Sequence, residues 1–254
     1  MGLRTAMKRI DIDTWESFRA FLEEPPDLGT TFYWRGQGNP EWPLASSLER
    51  KILALQGGAL DPDTYALLVQ RHLETFKAAA CGMRGASPKD LSEEQWWALG
   101  RHYGLETPLL DWTEKPYIAL FFALRGGDGN EPDPGAPGER FAMYRLCHGE
   151  KLAGKDLAVV RTPIDELGRM QQQRGLFTWI KAKKRYDLLS ILEESGRGEL
   201  LTQARVSSAL IPQALHDLEL HGIDHRLLFP DMYGAARHAN CLLSYDPIFG
   251  RKEK

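Results

Sequence analysis

Residues 104–124 read GLETPLLDWTEKPYIALFFAL, and their order sets polar chemistry directly against deep core. A turn holding Gly104, Thr107 and Pro108 runs into Leu109 and Leu110, then Asp111, Trp112 and Thr113, and then an almost wholly apolar segment from Tyr117 to Leu124. The spacing predicts a helix over 113–124. Thr113 suits the N-cap, Glu114 the positive end of the helix dipole, and Pro116 the first turn, where amides lack intrahelical partners. Ile118 to Leu124 is an unbroken apolar run, so this helix is expected inside the core rather than on its surface. The run is far too short for a bilayer, which takes about 20 apolar residues. Asp111, Trp112 and Thr113 stand at its mouth. A carboxylate there is either a cap for orphan amides or part of a site, and local sequence leaves both readings open.

Ahead of this stretch, Asp13 and Glu16 read as a capping-box variant opening a helix over 14–24, with Trp15, Phe18 and Leu22 at helical spacing. Thr31 to Arg35 (TFYWR) has strand composition, broken at Gly36-Gln37-Gly38-Asn39-Pro40. Three helices are expected next. One carries Leu48, Ile52 and Leu55, one runs over 62–81, and one begins at the S-x-x-Q box of Ser92 and Gln95 and ends with Gly104 in the C′ position. Beyond the core helix, 126–138 (GGDGNEPDPGAPG) reads as a flexible loop. Short strands are expected over 140–146, 157–161, 176–181, 200–206 and 226–229, and helices over 164–171 and 212–220. The fold class is α+β, a single domain over 1–254 with helices mainly in the first half and a mixed or antiparallel sheet. Its motif-bearing region is about 10–245, with a C-terminal tail at 246–254.

The composition excludes several classes. A chain of 254 residues can bury a sizeable core. A formal net charge of −3 gives no broad basic surface for nucleic acid. Cys81, Cys147 and Cys241 are widely spaced, with neither a zinc-knuckle nor a disulfide pattern. With no signal-like segment and no apolar run of membrane length, a cytoplasmic protein without a membrane contact is expected. The seven histidines have no ligand spacing, so no metal is expected. The basic run KAKKR at 181–185 reads as a solvated face or a phosphate-backbone contact.

Arg35 ends a strand beside Gly36, Gln37 and Gly38. Its planar fork suits a phosphate or a carboxylate, and the glycines would let a ligand approach the backbone. An ion pair with a carboxylate of the chain, such as Asp111, fits equally well.

Arg35-Gly36-Gln37, Trp42, Leu44, Ser47-Leu48 and Arg50 at this spacing resemble the opening of the FRG domain family, with Trp34 where the Phe of Phe-Arg-Gly stands. The family's second block, His-Tyr-Gly then Thr-x-Leu-Leu-Asp-Trp-Thr and an apolar helix, resembles His102 to Leu124, with Pro108 where arginine is usual. Its third block resembles Arg169, Gln173, Gly175, Phe177 and Thr178. Its fourth, Leu-Phe-Pro-Asp, resembles Leu228 to Asp231 with Gly234.

FRG domains occur mostly in bacterial proteins, often in toxin or defence contexts, and their strand-Arg-Gly opening is similar to that of ADP-ribosyltransferases. The resemblance implies such a fold, nicotinamide dinucleotide (NAD) as substrate, and transfer or hydrolysis of ADP-ribose. It leaves open a protein or nucleic-acid acceptor and a regulatory protein partner. Carried over, Arg35 binds the phosphates, Thr113 with the helix Ala119 to Ala123 takes the small-hydroxyl position, and Gln173 takes the later-strand position. Gln173 cannot act as a general base, so Asp111 is the carboxylate expected to assist, and His102 the residue to supply a hydrogen bond or proton. Gly36, Gln37, Tyr103, Thr107 and Thr113 complete the expected binding set, Tyr103 stacking on nicotinamide. The alternative is a non-catalytic module in which Arg35, Asp111 and His102 form a buried polar network that recognises a ligand or partner.

Overall fold

The computed structural model describes residues 5–57, 61–81, 83, 91–125, 139–149, 152, 154, 156–161, 168–181 and 187–244. The expected loop at 126–138, the basic run beyond Lys181, the first half of the expected helix over 164–171 and the tail at 246–254 lie outside them. The described strands are β1 (Lys8–Ile12), β2 (Thr31–Gln37), β3 (Leu109–Thr113), β4 (Arg140–His148), β5 (Leu157–Val160), β6 (Gly175–Ile180) and β7 (Leu201–Ser207). The helices are α1 (Trp15–Glu23), α2 (Ser47–Gln56), α3 (Pro62–Ala80), α4 (Glu93–His102), α5 (Pro116–Arg125), α6 (Arg169–Gln172), α7 (Leu188–Glu194), α8 (Ile211–Leu220), α9 (His225–Leu228) and α10 (Met232–Ser244). The fold is α+β. One mixed sheet runs β1-β7-β4-β2-β3-β6-β5, parallel only where β1 meets β7. Helices are spread over both halves of the chain, not gathered in the first.

The sheet has a seam. β2 follows β4 from Thr31–His148 to Gln37–Ala142, and β3 follows β6 from Leu109–Trp179 to Thr113–Gly175. β2 and β3 meet at one pair, Trp34 with Thr113. Beyond that pair the end of β2 and the start of β3 part, and a cleft opens between the two ladders.

Alternate residues of each strand feed opposite cores. Trp34, Phe141, Met143, Ala204 and Val206 face α1, α5 and α8. Tyr33, Leu110, Trp112, Tyr144, Leu146 and Leu176 face α7. A third cluster joins α2, α3 and α4 to Leu109, Phe177 and Val160. In α5, Ile118, Leu120 and Phe121 are buried, each large side chain contributing about 1.5–3 kcal/mol. Gly36 explains how closely α5 approaches β2: a Cβ there would lie 2.0 Å from the Ala119 carbonyl oxygen and 2.7 Å from Ala123 Cβ. The absence of a side chain at this position is what lets α5 sit against β2.

Several local expectations hold. The Ser92–Gln95 capping box forms, and Gly104 closes α4 at φ +87° with Leu105 N–H reaching the Gly100 carbonyl. Others are corrected. Thr14, not Asp13, caps α1 by accepting from Ser17 N–H, because Asp13 is drawn to Arg140 at 2.8 Å. Thr113 is the last residue of β3 and α5 begins only at Pro116. β2 runs on through Gly36 to Gln37 instead of ending at Arg35. Residues 226–229 are not a strand. Asp224 accepts from the Arg226 and Leu227 amides and starts a helical turn there, against the strand-like composition of the segment.

Candidate functional site

A cleft of about 830 Å3 occupies the seam. Its lining draws on all four sequence blocks. β2 and its loop supply Arg35, Gly36, Gln37 and Trp42, and α2 supplies Ser47 and Arg50. Then come Arg101 and His102 from the end of α4, Asp111 and Thr113 from β3, Arg169 and Gln173 from and beside α6, and Phe229 and Tyr233 from the α9–α10 segment.

At the centre stands Asp111, 42 % of its side chain exposed. Arg101 grips it with both arms of its fork, Nε to Oδ1 at 3.3 Å and an Nη to Oδ2 at 2.9 Å. A third Arg101 nitrogen is 3.4 Å from the Ser47 hydroxyl. Arg35 takes a different grip. It donates to the main-chain carbonyl of Asp111 at 2.9 Å and stands 4.0 Å from the carboxylate, bridging the strands where their own pairing has stopped. Burial pushes the Asp111 carboxyl up, but the charges of Arg101 and Arg35 and the Arg101 hydrogen bonds outweigh it and hold the group below its ordinary range. Asp111 is therefore a fixed negative charge at neutral pH.

Around this centre the walls are tied together. The Thr113 hydroxyl donates to the Gln173 carbonyl at 2.7 Å and accepts from Lys115 N–H at 3.1 Å, fastening β3 to the segment after α6 and leading into α5. The Gln173 amide donates to the Leu228 carbonyl at 3.0 Å, and Arg169 Nε to Asp231 at 2.9 Å. Arg169 also lies over the rings of Phe229 and Tyr233, 5.3 and 5.4 Å from their centroids. Burial raises the Asp231 carboxyl, but the Arg169 hydrogen bond and charge and the Gly234 amide bring it below its ordinary range.

Of the residues singled out in the sequence, Arg35, Gly36, Gln37, His102, Asp111, Thr113 and Gln173 meet in this cleft. Tyr103 and Thr107 stand outside its lining. Tyr103 is the C-cap of α4 with 60 % of its surface in solvent. Thr107 is fully buried, its amide donating to the Ser47 hydroxyl and its carbonyl accepting from Leu48 N–H. Arg101 was missed, and Arg50, quoted in the first block, was given no role in the site. Arg101 is the penultimate residue of α4, ten residues before its partner, and no spacing rule connects a helix C-terminus with the next strand. Ser46-x-x-Glu49 ahead of the apolar positions of α2 is a capping box legible in the sequence, and it fixes the helix that carries Ser47 and Arg50. Among the described residues no three His, Cys, Asp or Glu side chains gather as metal ligands, and no helix is long and apolar enough to cross a membrane.

The family model of the FRG domain matches residues 30–131. The chain carries an FRG domain. The matched span takes in β2, α2, α3, α4, β3 and α5, so the FRG domain itself supplies the Arg35, Arg101, His102 and Asp111 side of the cleft. The facing wall, with Arg169, Gln173 and Phe229, comes from residues after the matched span. No curated protein and no solved structure matches the chain.

Proposed function

We propose that the cleft binds nicotinamide dinucleotide and serves an ADP-ribosyltransferase-like reaction, of the type used in bacterial defence or by toxins, with a protein or a nucleic acid as acceptor and a regulatory protein controlling it. The observation that carries this reading is the convergence of all four sequence blocks on one cleft at the seam of the sheet. Arg35, Arg50, Arg101 and Arg169 line it, and guanidinium forks suit the oxygens of a diphosphate. In this reading Arg35 turns its fork to the diphosphate. Asp111, ionised and fixed by Arg101, faces the positive charge that develops on the ribose as the bond to nicotinamide breaks. His102 supplies a hydrogen bond or a proton. Titration calorimetry with NAD and a nicotinamide-release assay test the reading. Wild type is expected to bind, and Arg35→Ala to weaken binding roughly 10- to 150-fold, the value of lost hydrogen bonds to a charged group. Absence of wild-type binding at millimolar NAD refutes it.

The bidentate closure of Arg101 on Asp111 favours a second reading, a recognition module without chemistry in which the Arg35–Asp111–Arg101 network holds the two ladders together. It predicts ligand binding without nicotinamide release.

A further inference from the structure

The loop after β2 forms a turn whose residues suit it. Asn39 takes the first position and Pro40 the second, the Asn39 side chain accepts from Glu41 N–H at 2.8 Å, and Trp42 N–H donates to the Asn39 carbonyl at 3.3 Å. The turn delivers Trp42 to the wall of the cleft with 51 % of its surface exposed. Core packing does not account for an indole left half in solvent. Beneath the turn, the apolar face of the sheet is interrupted by polar groups in one cross-strand row: Arg35 lies opposite Tyr144, and Tyr144 opposite Gln203. Tyr144 and Gln203 are almost fully buried. The Gln203 amide donates to the Pro40 carbonyl at 2.8 Å and to the Tyr144 hydroxyl at 2.7 Å, and that hydroxyl donates to the same carbonyl at 3.3 Å. A buried phenol and a buried amide thus converge on one carbonyl of the turn. Two residues beyond Arg35 along β2, the Gln37 amide reaches the Pro43 carbonyl at 3.4 Å.

We infer that Trp42 is the stacking platform for an aromatic ring of the nucleotide bound in the cleft, and that Tyr144 and Gln203 are positioning residues that hold the turn carrying it. The inference rests on the nucleotide-binding reading above. The Trp42 face offers sequence-tolerant stacking to any base, and the arginines beside it take the phosphates of the same ligand. Tyr144 and Gln203 act only through Pro40. They sit under the turn at the register position of Arg35, so one cross-strand row sets both the platform and the phosphate-binding fork.

The experiment measures affinity by calorimetry for NAD, adenosine diphosphate and nicotinamide mononucleotide, on wild type, Trp42→Ala, Trp42→Phe, Tyr144→Phe and the Trp42→Ala/Tyr144→Phe double variant. Trp42→Ala is expected to weaken NAD binding roughly 5- to 150-fold, the range for loss of one stacked ring, while Trp42→Phe stays close to wild type. The mononucleotide that weakens in parallel identifies the ring. Tyr144→Phe is expected to weaken NAD binding when Trp42 is present and to have no further effect in the Trp42→Ala background, a coupling that a merely structural role would not produce. Wild-type-like affinity in Trp42→Ala overturns the platform alone. An undiminished Tyr144→Phe effect in the Trp42→Ala background overturns the positioning role. If wild type binds none of the three ligands, the cleft reading falls and takes the platform with it.

Discussion

Asp111→Asn separates charge from shape at the centre of the cleft. Breaking a fully buried ion pair costs about 3–5 kcal/mol and losing an exposed one about 0–1 kcal/mol. Asp111 is 42 % exposed and Arg101 21 %, and the asparagine oxygen still accepts one of the two Arg101 bonds. The expected cost is therefore between these limits, about 1–2 kcal/mol, or a fall in melting temperature of about 2–8 °C for a chain of this size. The pH dependence carries the sharper test. The folded carboxyl titrates below its ordinary value of 3.8, so its contribution is fully present above that value and is lost as pH falls through the lower, folded one. Thermal melts of wild type and variant should differ at neutral pH and converge as the solution is acidified below about pH 4. Equal melting temperatures across the whole range would refute the claim that the Asp111 charge holds Arg35 and Arg101. Nicotinamide release measured on the same samples distinguishes the two functional readings. Under the enzymatic reading it falls far more than a stability loss of this size explains, and under the recognition reading neither protein releases any.

Gly36→Ala forces a methyl group against the Ala119 carbonyl and Ala123. Main-chain atoms cannot swing aside, so stability should fall by about 1–3 kcal/mol or more in denaturant melts, and an unchanged midpoint would contradict the close seating of α5 on β2. Glu49, almost fully buried, accepts from Ser46 N–H at 2.7 Å and from the Tyr65 hydroxyl at 3.0 Å. Burial pushes its carboxyl from the ordinary 4.5 up to about 7. Stability is therefore greatest below 4.5 and is lost as pH rises through the folded value, by up to about 3 kcal/mol. Glu49→Gln should remove that decline, offset by about 1 kcal/mol for a weakened hydrogen bond. Melting curves of the two proteins that stay parallel from pH 5 to pH 8 would show that Glu49 does not titrate in this interval.

Much of the local structure was legible because it is decided by neighbours in the chain. The Ser92–Gln95 box, Gly104 after α4 and the apolar run of α5 each follow from contacts within one or two turns. Where reading failed, a distant partner had intervened. Asp13 leaves the cap of α1 for Arg140, and β1 exists only because β7, some two hundred residues later, lies parallel to it. The glycine of Arg35-Gly36 was read as room for a ligand; the structure adds that the place a Cβ would take is filled by α5.

The site divides along the same line. The sequence by itself singled out Arg35, His102, Asp111, Thr113 and Gln173 as candidates, since they stand at the ends of apolar segments and in the blocks that resemble the FRG family. Only the tertiary structure decided what each group does with its bonding capacity. Arg101, which no motif marked, takes the Asp111 carboxylate, Arg35 takes the Asp111 carbonyl, and Gln173 takes the Leu228 carbonyl. The physical reason is the seam: β2 and β3 share one pair and then part. The opening created between the two ladders is a property of how they are joined, and no single stretch of sequence specifies it.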